Sequence, residues 1–427
     1  MSVLSPPLNR GMKALDRDSF KQIVKILAVK VPAKKVGLFM KSLSGDLFNQ
    51  PRLRNVIADS DSKDTKLVLL KTDLKETDQL SQEKQDLIKE ESEGTIIYSL
   101  TLDYDYWTAD QILHAVMPED AVDIPSSFTQ VGHIAHMNLR EEYYPWKNLI
   151  GQVVLDKNKA VETVVNKLNS IDTTFRFFKM EILAGKDDMI AQVKESGCTF
   201  KFDFSKVYWN SRLHTEHDRL IQQFKLNEYV CDVFAGVGPF ALPAAKKGAI
   251  VYANDLNPTS YHWMKENIKA NKIKTGIQPY NMDGRDFIRQ AVKDVQATCA
   301  TEWKTFDHFV MNLPATSIEF LDTFRGLYND YKGLFKPDSK LPMIHCHCFT
   351  KGSDPLKDIS DRVGDVMGMN PDPVKTSVHW VRNVAPKKEM YCISFPLSSE
   401  IAFALNDKRK RENESELENT AKTARTE

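Results

Sequence analysis

A chain of 427 residues exceeds one ordinary domain and implies two or three, each with sequence enough for a buried core. Lys and Arg number 58 and Asp and Glu 58, which excludes a chain-wide polyanion binder but permits local basic patches. No apolar run approaches the roughly 20 residues of a membrane helix, no apolar block leads to a small-residue cleavage site, and the six scattered cysteines fit reduced thiols, so an intracellular protein without a membrane partner is expected.

Residues 10–41 carry Arg10, Lys13, Arg17, Lys21, Lys25, Lys30, Lys34, Lys35 and Lys41 against Asp16 and Asp18. Within "SFKQIVKILAVKV", Phe20, Ile23, Val24 and Leu27 predict an amphipathic helix with a basic outer side. An RNA-phosphate contact and a solvated face both fit it, whereas the two acids weaken a mitochondrial presequence. Residues 61–93 predict a short strand near Leu67 to Leu70, then an exposed helix or mobile insertion. "GTIIYSLTLDYDYWTADQILHAVMP" predicts a strand and a helix ending before Pro118, closing an N-terminal α+β domain over residues 1–124. "VGHIAHMNLREEYYPWKNLIGQVVLDKN" reads as strand, helix, strand, with a helix from Lys159 to Leu168, in a middle domain over 125–204.

From residue 205 to 400 strands alternate with helices. The strand ends are "VCDVFAG", "IVYANDLNP", "IQPYNMDGRD", "DHFVMNLPA" and "MIHCHCFT", a rhythm that predicts an α/β domain with a parallel sheet wound on both faces. "SVHWVRNVAPKKEMYCISFPL" predicts a closing hairpin. Its antiparallel last strand separates the seven-stranded, Rossmann-like class I methyltransferase sheet from an all-parallel dinucleotide fold.

In "FAGVGPF", Gly236, Gly238 and Ala241 satisfy a loose G-x-G-x-x-A pattern, and Asp255 stands where a ribose diol would need an acceptor. Pro239, however, occupies the turn where a pyrophosphate would want amides. Asp232 inside the first strand, and Asn312-Leu313-Pro314 after the fourth, have no task in a nicotinamide enzyme. In an S-adenosylmethionine-dependent methyltransferase each has one. Asp232 suits the cationic amino-acid end, Asp255 with Leu256 the ribose, Asp283 with Gly284 the adenine, and Asn312 faces the transferred methyl group. Asn-Leu-Pro in place of a two-proline motif hints at a ring nitrogen as acceptor.

"RFFKMEILAG", "YWNSRLHTEHDRL", "DVFAGVGPFALPAAKKGAIVYANDLNP" and "MNLPATSIEFLD" resemble the eukaryotic and archaeal tRNA (guanine-37-N1)-methyltransferase family, over most of residues 130–397. The resemblance implies methyl transfer from S-adenosylmethionine to N1 of the guanine beside the anticodon, with tRNA held by its anticodon stem-loop and body. By the same resemblance, Glu216 is the general base for the N1 proton, its pKa raised toward the working range by shielding from solvent. Arg176 would steady the guanine O6, where negative charge grows. Tyr208 would stack on a flipped-out base, with Arg212 beside it on the substrate side. Archaeal members often carry arginine where His217 stands, so His217 is read as a cofactor contact of uncertain charge.

Each of these has a plainer reading. Arg212 and Glu216 at i and i+4 fit a surface ion pair, Arg176 a strand's wet face, and Tyr208 with Trp209 core packing. "HCHC" at 345–348 alternates donors across a strand, so it predicts a buried fifth strand and no metal. Residues 401–427 read as a disordered charged tail whose "KRKR" fits nuclear import, a phosphate contact or plain solvation. Two rival functions are a wybutosine-pathway aminocarboxypropyltransferase, which needs no N1 proton acceptor such as Glu216, and a non-catalytic RNA-binding protein on a methyltransferase fold. A monomer is expected, cytoplasmic, with mitochondrial and nuclear pools open.

Overall fold

The computed structural model describes residues 4–171, 178–299 and 301–405. The chain forms two compact units: Met1–Lys167 with Glu181–Asp187, and Leu168–Met180 with Asp188–Glu427. Among the described residues no helix is long and apolar enough to cross a membrane.

The first unit opens with an antiparallel sheet ordered β2-β3-β1-β4, from β1 (Gln22–Pro32), β2 (Val56–Ala58), β3 (Thr65–Leu69) and β4 (Thr95–Leu102). Helices α1 (Val36–Ser42), α2 (Gln82–Glu91) and α3 (Ala109–Val116) accompany it. The segment expected as an amphipathic helix is therefore β1, flanked on both edges. Its five β-branched residues, Ile23, Val24, Ile26, Val29 and Val31, favour the pleat. Leu27, Val29 and Val31 enter one buried cluster while Ile26 and Ala28 enter another, which is a period of two. The strand near Leu67 and the helix after it form as expected, as β3 and α2.

A second sheet runs β5 (Thr129–Val131), β6 (Ile134–Met137), β7 (Thr163–Ile171) and β8 (Phe178–Gly185), with α4 (Lys147–Lys157) beside it. Two expectations reverse here. The expected second strand is α4, because Leu149, Ile150, Val153 and Val154 bury one helical stripe. The helix expected over 159–168 is largely β7, whose Thr163, Val164 and Val165 pair in parallel with Ile134, Ala135 and His136. A Cβ at Gly151 would lie 2.5 Å from that of Leu183, so α4 lies directly on β8.

Residue 124 is not a boundary of compact units. Phe20, Trp107 and Leu113 share one core with Met137, Leu149, Val164 and Leu183, so residues 125–167 pack with the N-terminal part. Residues 190–203 form a hairpin, β9 (Ile190–Glu195) and β10 (Cys198–Asp203), in the second unit, where Asn267 and Asn271 accept the Lys201 and Thr199 amides at 2.8 and 2.9 Å.

The second unit also holds helix α5 (His214–Gln223) and a seven-stranded sheet ordered β13-β12-β11-β14-β15-β17-β16. The strands are β11 (Tyr229–Asp232), β12 (Ile250–Asn254), β13 (Ile277–Tyr280), β14 (His308–Met311), β15 (Met343–Thr350), β16 (Ser377–Ala385) and β17 (Lys388–Pro396). Five parallel strands end on the expected hairpin, with β17 antiparallel between β15 and β16. Helices α6 (Ala241–Lys246), α7 (Pro258–Ala270), α8 (Gly284–Ala297), α9 (Pro355–Met367) and α10 (Ser399–Ala402) complete it. "HCHC" lies in β15 with all four residues buried, as expected. The order reverses at β11, so the carboxyl ends of β11 and β14 open a crevice where α/β sheets bind ligands.

Candidate active site

After β11 the backbone turns through Gly236 at φ 56° and Gly238 at φ 98°, conformations that side chains disfavour. Nothing lies within 4 Å of a Cβ built at Gly236, whereas one at Gly238 would strike Leu242 at 2.2 Å. Gly236 thus leaves room for a ligand against bare backbone, and Gly238 lets the next helix close in. Asp255 anchors the turn: its Oδ2 accepts the Gly236 amide at 2.9 Å and its Oδ1 the Asn257 amide at 2.9 Å. Burial outweighs those bonds and lifts the Asp255 carboxyl to about 6.

Asp232 is fully buried and neither carboxylate oxygen has a hydrogen-bond partner. Burial, then the charge of Asp255, pushes it up to about 8. A buried acid without a partner is costly unless a ligand supplies a cation. The Oδ1 of Asn312, just beyond β14, is likewise buried without a partner. Extending the Met311–Cys346 register by one residue brings Asn312 level with His347.

Asp283 and Gly284, read as the adenine end of the site, open α8 just beyond β13. Asp283 is exposed and caps α8 through the Arg285 amide at 2.9 Å. A Cβ at Gly284 would meet the Phe234 and Phe320 rings at 2.9 and 3.1 Å, so protein fills that space. Leu256, two residues beyond β12, is 46% exposed. Asn254, which sequence reading missed, ties three strand ends together. Its amide donates to Val233 and Met282 carbonyls and its oxygen accepts the Met282 amide.

Glu216 departs from its expected electrostatics. It lies on the first turn of α5, 3% exposed. Arg219 grips it with Nε and Nη2, both at 2.7 Å, and the Nε2 of His347 lies 2.7 Å from Oε1. The surface pair with Arg212 gives way to this one, since i+3 on the helix brings Arg219 onto the buried carboxylate. Burial pushes the Glu216 carboxyl up, but the bonds and charges of Arg219 and His347 pull it down to about 2. It is thus an ionised carboxylate throughout the neutral range, not a group raised toward it. His347 responds in kind: burial opposes its charge, yet Cys392 and Glu216 lift it to about 10. Ligand atoms of Glu216, His347 and Cys392 come within 4.8 Å of one another, but Arg219 and protonated His347 already neutralise the carboxylate a metal ion would need.

His217 is buried, its Nδ1 bonded to Glu195 and its Nε2 partnerless. Tyr208 is 47% exposed, whereas Trp209 stacks on Phe202 at 4.9 Å in the core. Arg212 is exposed, and Arg382 of β16 joins the same surface, 3.4 Å from the Asn210 side-chain oxygen. Arg176 and the "KRKR" tail lie outside the described residues.

S-adenosylmethionine fits this donor set: Asp232 offers a buried acid to a cationic end, Gly236 an open cradle, Asp255 acceptors for a diol, and Asn312 and His217 orphaned polar atoms. Asp255→Ala is expected to raise the Michaelis constant for that cofactor about tenfold or more while tRNA affinity stays near wild type, since a paired acceptor is lost. Titration of both ligands by fluorescence or calorimetry checks it, and unchanged cofactor affinity removes Asp255 from the site.

Comparison with known proteins gives the same direction. The description "TRM5/TYW2 methyltransferase domain" matches residues 191–334, and "TYW2 N-terminal domain" matches residues 109–188. A tRNA (guanine(37)-N(1))-methyltransferase of Schizosaccharomyces pombe is 48% identical over 92% of this chain and 96% of its own. Its counterpart in Xenopus tropicalis is 46% identical over 94% of this chain and 82% of its own. Among solved structures, Trm5b from Pyrococcus abyssi aligns with TM-score 0.56 at 25% identity, covering 87% of this chain and 99% of that one. The complex of aTrm5 and tRNALeu gives TM-score 0.61 at 21% identity over 87% and 100%, a likeness of fold. Kinship this close along nearly the whole chain, joined to the sheet order and the acids at its strand ends, makes the chain a member of the tRNA (guanine(37)-N(1))-methyltransferase family.

Proposed function

We propose that the chain transfers the methyl group of S-adenosylmethionine to N1 of guanine 37 in tRNA. The observation that carries this reading is the row of polar groups along the carboxyl ends of β11 and β14 and on α5: partnerless Asp232 and Asn312, and ionised Glu216. The cofactor supplies a methyl group on a positively charged sulfur. Asp232 and Asp255 orient it by its charged and hydroxyl ends, and Asn312 offers its free oxygen to a base N–H. Neutral guanine holds a proton on N1 that must leave as the methyl group arrives, and Glu216 is the acceptor we assign. Tyr208, half-exposed, offers a stacking face to an unpaired base, with Arg212 and Arg382 beside it for phosphate or O6.

The test is incubation of the protein with labelled cofactor and unmodified tRNA transcript, followed by nucleoside mass analysis. Methyl label in 1-methylguanosine at position 37 is expected. Label entering only from the carboxyl carbon would replace this reading with aminocarboxypropyl transfer.

We further propose that the chain acts as a monomer on the anticodon stem-loop and the tRNA body. The basic segment contributes through Lys21 and Lys25, which are exposed, while Lys30 is held by Asp59 at 3.2 Å and Glu93 at 3.7 Å. Replacing Lys21 and Lys25 with Ala is expected to weaken tRNA binding and flatten its salt dependence, with cofactor affinity preserved. A salt slope equal to wild type would take Lys21 and Lys25 out of the tRNA surface.

A further inference from the structure

Strand register builds a row that no motif announces. His347 of β15 stands opposite Cys392 of β17, and Cys392 stands opposite His379 of β16. Paired positions on neighbouring strands share one face of the sheet, so His347, Cys392 and His379 line up beneath Glu216. The two imidazoles meet the same carboxylate on different oxygens: His347 lies 2.7 Å from Oε1 and His379 lies 3.7 Å from Oε2. They differ in access to water. His347 is fully buried, whereas the His379 side chain is 48% exposed on the edge strand.

Glu216, almost wholly buried, has no direct way to return a proton to solvent. Resting on the guanine-N1 reading above, we propose that His379 receives the proton Glu216 removes from the substrate base and delivers it to water. A shift of about 0.5–1 Å brings its Nε2 into hydrogen-bond range of Oε2. The step balances. The N1–H bond gives its proton to the Glu216 carboxylate and its electron pair to the new N1–CH₃ bond, the carbon–sulfur pair stays on sulfur, and the proton passes to the His379 ring and on to water.

The surrounding charges agree with this direction. Glu216 and Arg219 face His379 from α5, Cys392 from the paired strand β17 and His347 from β15, and Arg382 lies further along its own strand. Partial burial, then the positive charge of Arg219, lower His379 below the usual histidine range, so the ring is neutral and able to accept. His347, lifted to about 10, already holds its proton. His379 is thus a positioning and relay residue that acts through Glu216.

The test is single-turnover methylation of unmodified tRNA by the full chain, with saturating cofactor, from pH 5.5 to 8.5. His379→Ala is expected to slow the reaction about tenfold or more, to lose the wild-type fall in rate at the acidic end, and to be partly restored by added imidazole. A rate within twofold of wild type across the range overturns the relay. So does a slow variant that keeps the acidic limb and ignores imidazole, because that is how a structural histidine behaves. Wild-type protein that makes no 1-methylguanosine sinks the underlying reading, and the relay with it.

Discussion

Glu216→Gln is expected to lower the single-turnover methylation rate by about 10²–10⁴-fold, the usual contribution of a positioned proton acceptor. The amide keeps the shape and can still accept a hydrogen bond from Arg219 or His347, so cofactor and tRNA binding should persist. The loss should shrink as pH rises toward the point where guanine N1 ionises unaided, because solvent can then remove the proton. The sign of the carboxyl's own titration matters too. Held at about 2, below the ordinary 4.5, its ionised form stabilises the fold at neutral pH, and that contribution fades only as pH falls from about 4.5 toward 2. Glu216 therefore stays charged across any assay from pH 5 to 9, and an acidic limb there belongs to another group, such as His379. A Gln variant whose rate loss is the same at every pH would mean Glu216 only positions the base.

Asp232→Asn is expected to split stability from binding. The Asp232 carboxyl, lifted to about 8 from an ordinary 3.8, is stable in its protonated form. The stability it allows is fully present below about pH 4 and is lost as pH rises toward 8. The amide mimics the protonated acid without that titration. Without cofactor, the variant should melt like wild type near pH 4 and above it at pH 8, by an amount on the order of a few kcal/mol at most. With cofactor the order should invert. A buried charge-assisted contact is worth about 1.5–3 kcal/mol, so S-adenosylmethionine should bind roughly 10–100-fold more weakly and its stabilising effect at pH 8 should largely vanish. Equal cofactor affinity would mean that the orphaned acid serves no ligand.

The parts of this protein legible in the sequence are those with local causes. Strand ends in the second unit announce themselves because most of the short apolar runs stop at Gly, Asn or Asp, and Pro punctuation between the last two predicts the hairpin that makes β17 antiparallel. Asp232 and Asp255 stand out because acids inside apolar runs need a reason. In the first unit local pattern misled. Phe20, Ile23, Val24 and Leu27 match a helical stripe as well as a strand, and only flanking by β3 and β4 with cores on both faces decides for β1. The same holds for α4 and β7, where short apolar runs admit either period.

By itself the sequence determined the class of fold, the glycine turn and the acids at the strand ends, since these follow from side-chain type and spacing along one chain, while Glu216 stood out only through the family resemblance of "YWNSRLHTEHDRL". Tertiary structure alone decided the charge state of Glu216, because Arg219 is a helical neighbour but His347 comes 131 residues later from β15. It alone decided that His347, Cys392 and His379 form one row, since strand register, set by pairing between distant segments, is not written in any one of them. It also decided that residues 125–167 join the N-terminal core, because burial of a shared apolar surface outweighs order along the chain.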